Sequence, residues 1–225
     1  MPIYREVDRG FFKKWSPEMA YVLGFFAADG TMIANNRGAH FIEFHITDKQ
    51  ILVNIRRLLK SNHKIATRDR GNKKWKIGYR LQIGSKEIFE DLTSFGFTPN
   101  KSLTIKFPDI PTNLLGDFVR GYFDGDGCVY FKRHFAKDRN KYRWFFTTVF
   151  TCGSKVFLKG LHQNLSNYLN GGSLRSKTGG YELVFSRRDS VALYNLMYHN
   201  NCRGLYLNRK HKLFRKALRT LYGIR

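Results

Sequence analysis

The chain has 225 residues, room for one large domain or two small ones, and its 42% hydrophobic and 16% aromatic content excludes a disordered chain. Lys and Arg number 40 against 17 Asp and Glu, a formal charge of 40 − 17 = +23, spread along the whole length rather than gathered in a tail. Such an excess repels itself unless a polyanion lies against it, so nucleic acid leads as partner over a membrane surface or a ribosome-associated role, because each neutralised phosphate releases counterions.

No apolar run is long enough to span a bilayer, and the charged opening MPIYREVDRGFFKKW is not expected to act as a secretory signal. Three cysteines, Cys128, Cys152 and Cys202, are odd in number and lack CxxC spacing, which points to a reducing cytoplasm and against a zinc finger.

In chain order, Ser16 followed by Pro17 opens a helix as N-cap and first helical residue, and Gly30 is expected to close it as a left-handed cap. Residues 31–34 and 39–47 read as strands, the second placing Ile42, Phe44 and Ile46 on one face and Glu43, His45 and Thr47 on the other. Residues 49–60 form an amphipathic helix with Ile51, Ile55, Leu58 and Leu59 on its apolar stripe. Strands follow at 64–69 and 75–83, the latter alternating Trp75, Ile77, Tyr79, Leu81 and Ile83 with Lys76, Gly78, Arg80 and Gln82, and then a helix over 86–95. One apolar and one basic face is the pattern of a sheet packed on a core and open to a DNA groove.

Residues 97–112 hold three of the five prolines and read as a linker. The plan then repeats: a helix opened by Asn113 and closed by Gly127, strands at 128–135 and 142–152, a helix at 155–169, strands at 173–177 and 181–187, and a helix at 189–199. Two αββαββα halves, 1–96 and 113–225, follow, with a last basic helix over 206–222.

The two opening helices carry the chemistry. Ala20 to Met32 reads AYVLGFFAADGTM and Asp117 to Val129 reads DFVRGYFDGDGCV, with the terminal acids 126 − 29 = 97 residues apart. A carboxylate at a helix C-terminus opposes the helix dipole by roughly 0.3–1 kcal/mol, and having one there in both copies calls for a purpose. Gly24 and Ala28, and Gly121 and Gly125, fall at i and i+4. Small residues at that spacing let two helices cross closely and would bring Asp29 and Asp126 together. Two carboxylates about 6 Å apart repel by about 3 kcal/mol at an effective dielectric of 20, which a divalent cation reverses; oxygen-only ligands suit Mg²⁺ and phosphodiester cleavage.

The segments VLGFFAADG (22–30) and VRGYFDGDG (119–127) resemble the two motifs of a LAGLIDADG homing endonuclease in its single-chain, double-motif form, and the spacing, halves and basic strands extend the likeness over nearly the whole chain. The resemblance implies an α+β fold: two pseudo-symmetric halves, each with a curved antiparallel sheet, forming a DNA-binding saddle and packed through the motif helices. It implies a monomer that hydrolyses double-stranded DNA at a long asymmetric target and leaves short 3′ overhangs, as intron-encoded members do.

By the same resemblance, Asp29 and Asp126 would hold metal with Ala28 and Gly125 beside them. Mg²⁺ is the expected ion, Mn²⁺ an expected substitute, and Ca²⁺ is expected to bind without supporting efficient cleavage. Lys101 and Lys210 are the candidate basic residues of the site. Asp48, after the second strand, is the candidate for positioning solvent, with Cys152 as its poorly matched counterpart. Ala27 stands where the second copy has Asp124, a position not implied to bind metal. Arg68, Arg70, Lys76, Arg80 and Gln82 from the first half and Lys132, His134, Arg143, Arg175 and Lys177 from the second are the candidate DNA contacts.

The alternative is a non-cleaving nucleic-acid binder of the same type, an RNA maturase or transcription regulator, which would have no need of the acidic pair. His199-Asn200-Asn201-Cys202 faintly resembles an intein splice junction but reads as a helix end and loop, and the seven scattered histidines do not suit an HNH nuclease.

Overall fold

The computed structural model describes residues 5–69, 71, 76–198, 202 and 204–224. Among these, the first half runs α1 (Pro17–Asp29), β1 (Gly30–Ala34), β2 (His40–Ile46), α2 (Lys49–Leu58), β3 (Ile65–Arg68), β4 (Gly78–Gly84) and α3 (Lys86–Ser94). The second runs α4 (Leu115–Asp126), β5 (Gly127–Ala136), β6 (Lys141–Cys152), α5 (Lys155–Leu165), β7 (Ser173–Lys177), β8 (Gly180–Phe185) and α6 (Arg187–Tyr198), followed by α7 (Asn208–Tyr222). Each half has a four-stranded antiparallel sheet, in the orders β1-β2-β4-β3 and β5-β6-β8-β7. This is the expected α+β architecture of two similar halves.

Local chemistry sets the element ends. Ser16 accepts from the Met19 N–H at 3.1 Å with Pro17 in the first turn, and Ser85 and Ser154 cap α3 and α5 in the same way. Two expectations for the helix ends fail. Asn113 does not open α4; it lies in a single 3-10 turn, Thr112–Leu114, that leads into the helix with no side-chain cap. Gly30 is not a left-handed cap: it is extended (φ −91°) and begins β1, while Gly127 closes α4 as expected, also extended (φ −95°), and begins β5. Their glycine requirement is steric: a Cβ on Gly30 would lie 2.2 Å from the Phe26 ring, and one on Gly127 2.2 Å from the Phe123 ring.

The central contact is α1 against α4. A Cβ on Gly24 would lie 2.1 Å from the Phe118 carbonyl oxygen, and one on Gly121 2.0 Å from that of Tyr21, so backbone meets backbone at both crossings. At the next turn a Cβ on Gly125 would lie 2.3 Å from Ala28 Cβ. The small-residue stripes therefore meet as the spacing predicts. Around this crossing each half builds the same aromatic core. Phe25 stacks on Phe44 and Tyr122 on Phe150, each at 6.3 Å between ring centroids, while Phe26 and Phe123 meet the same two partners edge-on.

Helices cover one face of each sheet and leave the other open. Ile42, Phe44, Leu81 and Ile83 point inward in the first half, and Val129, Phe131, Phe146, Phe150, Leu183 and Phe185 in the second. On α2, Ile51, Ile55 and Leu59 are buried and Leu58 partly so, with Leu52 a further buried residue that the stripe had not included. The strand expected over 75–83 is described from Gly78; Trp75 lies outside the described residues, and Ile77, beyond the strand, is 47% exposed. The helix expected over 155–169 stops at Leu165, and the last helix begins at Asn208 rather than 206. His199, Asn200 and Asn201 lie outside the described residues.

The segment 97–112 is packed. Ile105 and Ile110 are buried, the Ser154 hydroxyl donates to the Ile105 carbonyl at 2.7 Å, and Phe107 meets Phe118 and Phe157 at 5.2 and 5.6 Å.

Candidate active site and nucleic-acid face

At the C-terminal ends of α1 and α4 the sequence delivers Asp29 and Asp126 to one place. A Cβ on Gly125 would stand 3.2 Å from Asp29 Oδ2, so the Asp29 carboxylate lies against the last turn of the opposite helix. Burial is the main cause that raises the Asp29 carboxyl to about 7, and the Asp126 charge adds to it. Asp126 stands more open to solvent, and desolvation on its packed side raises its carboxyl too.

Two buried lysines answer the two acids. Lys101, in the 3-10 turn Lys101–Leu103, donates to the Ala27 carbonyl at 2.9 Å and has its ammonium 5.7 Å from the Phe26 ring centroid. Lys210, in the first turn of α7, donates to the carbonyls of Phe123, Asp124 and Gly125 at 2.6, 2.8 and 3.2 Å and sits 5.0 Å from the Phe123 ring centroid. Each lysine thus caps the C-terminus of one motif helix, where unpaired carbonyls and the dipole favour a cation. Desolvation lowers both ammonium groups to about 8, and the site carboxylates pull them back up.

The coupling crosses between the halves. The cation that most opposes the raised pKa of Asp29 is Lys210, from the second half, and for Asp126 it is Lys101, from the segment joining the halves. Neither acid has a self-contained environment; the pair forms one centre.

Asp124 was not expected to matter, yet it is fully buried, accepting from the Tyr21 hydroxyl at 2.8 Å and from the Leu207 N–H at 2.9 Å. It ties α1, α4 and the approach to α7 together. Its carboxyl is raised to about 6, chiefly by burial, with the Tyr21 bond opposing that rise. Arg120, also buried, donates to the carbonyls of Leu205 and Met197 at 2.9 and 2.6 Å and pairs with Asp117 at 2.6 Å. Sequence reasoning passed over both; an arginine and an aspartate set between apolar and glycine neighbours (Val119, Gly121, Phe123, Gly125) were the available signal.

The expected pairing of Asp48 with Cys152 is corrected by the strand register. Gly30 pairs with Phe44 and Gly127 with Phe150, so Cys152 corresponds to Ile46, and Asp48 corresponds to Ser154. Asp48 and Ser154 are both helix N-caps, Asp48 accepting from the Gln50 N–H at 3.2 Å. The slip arises because the β5–β6 hairpin is longer: the offset between halves rises from 127 − 30 = 97 before it to 150 − 44 = 106 after it, nine residues. Cys152 is buried beside the centre, and burial raises its thiol.

The candidate DNA contacts that lie on described strands fall on the uncovered faces of the sheets. Arg68, Arg80 and Gln82 alternate with inward-facing Leu81 and Ile83, and Lys132, His134 and Arg143 with Phe131 and Phe146. Arg68, Lys76, Lys132 and Arg143 are exposed. Others are already engaged: Arg80 and Gln82 reach Glu43 at 3.4 and 2.7 Å, Lys177 pairs with Glu182 at 3.0 Å, Arg175 donates to the Ser173 hydroxyl at 3.2 Å, and His134 meets the Tyr130 hydroxyl. Arg70 lies outside the described residues. No helix among the described residues is long and apolar enough to cross a membrane.

Among the described residues no cluster of three His, Cys, Asp or Glu side chains forms, so any cation at the centre rests on the two carboxylates with backbone and solvent oxygens. That donor set is all oxygen, and the residues fit a hard divalent ion. The Asp126 charge beside Asp29, which adds to burial in raising the Asp29 carboxyl, is what such an ion would relieve.

Comparison with known proteins agrees with this geometry. Residues 16–94 match the LAGLIDADG-like domain family. No curated protein matches the chain. Among solved structures, the homing endonuclease I-WcaI bound to its DNA recognition sequence superposes with a TM-score of 0.60 at 16% identity, over 91% of this chain and 90% of that one. The meganuclease I-SmaMI bound to uncleaveable DNA gives a TM-score of 0.63 at 11% identity over 91% and 90%. The LAGLIDADG meganuclease I-AabMI bound to uncleaved DNA gives 0.60 at 15% over 92% and 90%. With one segment matching the family and nearly the whole chain sharing the architecture, the protein is a single-chain, two-motif protein of the LAGLIDADG homing-endonuclease fold.

Proposed function

We propose that the protein is a site-specific, metal-dependent endonuclease that cuts both strands of a long, asymmetric double-stranded DNA target as a monomer. The observation that carries this is the acidic pair: two aspartates at dipole-opposed helix ends, both with raised carboxyls and flanked by two buried lysines. A protein that only binds DNA gains nothing from that cost. In this reading residues 1–96 and 113–225 are the two halves and 97–112 the link, and unlike side chains on the two sheets give the target its asymmetry.

Asp29 and Asp126 would hold divalent metal, Mg²⁺ being the ion their oxygens suit, with Ala28 and Gly125 at hand. A bound divalent cation supplies charge neutralisation and Lewis acidity toward a phosphodiester. The chain's own part is to hold the carboxylates at one point, to keep them ionised through the nearby ammonium groups, and to offer donors to a phosphate. One N–H of Lys101 is spent on the Ala27 carbonyl, which leaves the others for phosphate oxygen or solvent. The outer faces would grip DNA through Arg68, Lys76, Lys132, Arg143, Arg175 and Lys177, with Arg80 and Gln82 oriented by Glu43. Nicks staggered across a minor groove would leave short 3′ overhangs. Asp48 is assigned to capping α2 rather than to solvent positioning.

The test is selection from a randomised plasmid library with Mg²⁺, followed by Asp29→Asn and Asp126→Asn on the selected site. Both variants should bind it and cut neither strand pair. Specific binding with no cut strand by the unaltered protein would leave a non-cleaving binder as the function.

A further inference from the structure

We infer that the solvent face of α7 is a second nucleic-acid site, separate from the sheet faces, and that it takes a single-stranded segment. Lys212, Arg215, Lys216 and Arg219 recur at i, i+3, i+4 and i+7, so they form one stripe along the helix. All four are exposed, and among the described residues none lies within ion-pair distance of a carboxylate. The helix Asn208–Tyr222 contains no acidic residue at all. A solvated surface helix ordinarily mixes the two signs; an unbroken cationic stripe is complementary to a chain of phosphates.

The stripe borders a cavity of about 500 Å³ that Tyr206, Asn208 and His211 also line. Tyr206 and His211 lie 4.6 Å apart between ring centroids and are partly exposed. A groove that joins cations to aromatic rings suits an unpaired strand, whose backbone follows the charges while a base lies against a ring. A duplex keeps its base faces stacked and could use only the charges.

The site is distinct from the sheet faces because α7 packs on the covered side of its sheet. Phe214, Ala217 and Leu218 are buried, and Phe214 meets inward-facing Phe146 and Phe123 at 5.9 and 5.4 Å. Residues 212, 215, 216 and 219 lie on the opposite side of the helix from these three, since successive residues turn by about 100°. DNA laid on the open sheet faces would not reach them.

The experiment uses the full chain saturated with an unlabelled 40-base-pair duplex, to which a fluorescently labelled 20-nucleotide single strand, as RNA or as DNA, is added and followed by anisotropy. A ternary complex should form, and the variant Lys212→Ala/Arg215→Ala/Lys216→Ala/Arg219→Ala should weaken it at least tenfold while duplex affinity changes by less than about threefold. A variant with the same charge loss in the first half, Lys13→Ala/Lys14→Ala/Arg57→Ala/Lys86→Ala, should form the ternary complex normally. Preference between RNA and DNA strands identifies the source of the segment, and binding of either supports the site. Absence of a ternary complex, an equal loss in both variants, or a parallel loss of duplex affinity in the α7 variant overturns it. Duplex binding measured alone reports on the sheet faces, so a failure there is separate from a failure here.

Discussion

The hydroxyl of Tyr21 on α1 donates to the carboxylate of Asp124 on α4 at 2.8 Å, with both groups fully buried. This polar link joins two helices that otherwise meet through glycine. Tyr21→Phe removes the donor and leaves a buried carboxylate with the Leu207 N–H as its other bond. A loss of about 1–3 kcal/mol in unfolding free energy should follow, measured by urea titration. An unchanged midpoint and slope would show that the link is dispensable.

The backbone approach of the two helices gives a second expectation. Gly24→Ala and Gly121→Ala each place a methyl group about 2 Å from a carbonyl oxygen of the partner helix, too close for any rotamer to relieve. Overpacking of this kind costs about 1–3 kcal/mol or more. DNA cleavage should fall further than stability does, because the helix ends that position Asp29 and Asp126 must separate. Gly10→Ala, where the nearest heavy atom is an Asp8 oxygen at 3.6 Å, should stay within about 0.5 kcal/mol of the unaltered protein.

How far the sequence could be read depended on which physical signal was local. The αββαββα halves, the Ser16 cap and the Gly24/Gly121 stripes were legible because hydrophobic period, capping chemistry and side-chain size act within a few residues. Lys101 and Lys210 were reached through the resemblance, and their positions against the helix-end carbonyls come from the fold alone. The Asp48–Cys152 pairing went astray because register depends on the length of a remote hairpin, which strand alternation does not report. Asp124 and Arg120 were missed for a related reason. Their partners, Tyr21, Leu207, Leu205 and Met197, are brought to them by segments 77 or more residues away in the chain.

The raised carboxyl of Asp29 carries a pH signature. Its folded value of about 7 lies above the ordinary 3.8, so the folded state holds a proton that the unfolded state gives up between those limits. Stability without metal should therefore fall as pH rises from about 4 to about 7 and then level off where Asp29 is concerned. Asp29→Asn removes the ionisation, so in chelator-treated buffer its Tm should exceed that of the unaltered protein at pH 7.5 and match it near pH 4. Added Mg²⁺ should raise the Tm of the unaltered protein and leave Asp29→Asn nearly unmoved. Equal pH profiles for the two proteins would remove Asp29 as a destabilised carboxylate.

The two lysines should separate by what they hold. Lys210 satisfies three carbonyls at the end of α4, whereas Lys101 satisfies one at the end of α1. Replacing Lys210 with methionine keeps the aliphatic stem but strands the Asp124 and Gly125 carbonyls, while the Phe123 carbonyl keeps the Gly127 N–H, a loss of about 2 kcal/mol if each stranded carbonyl costs about 1 kcal/mol. Lys101→Met strands a single acceptor and should cost about 1 kcal/mol. Cleavage should order the other way relative to stability. Lys101 has N–H groups to spare for a phosphate, so Lys101→Met should stay folded, bind DNA, and lose tenfold or more in single-turnover rate. Lys210→Met should lose rate mainly in proportion to the fraction unfolded, so cooling or a stabilising osmolyte should restore it. Equal unfolding costs for the two variants would mean that the carbonyl contacts of Lys210 do not stabilise the fold. A rate in Lys101→Met matching the unaltered protein would reduce Lys101 to a helix cap.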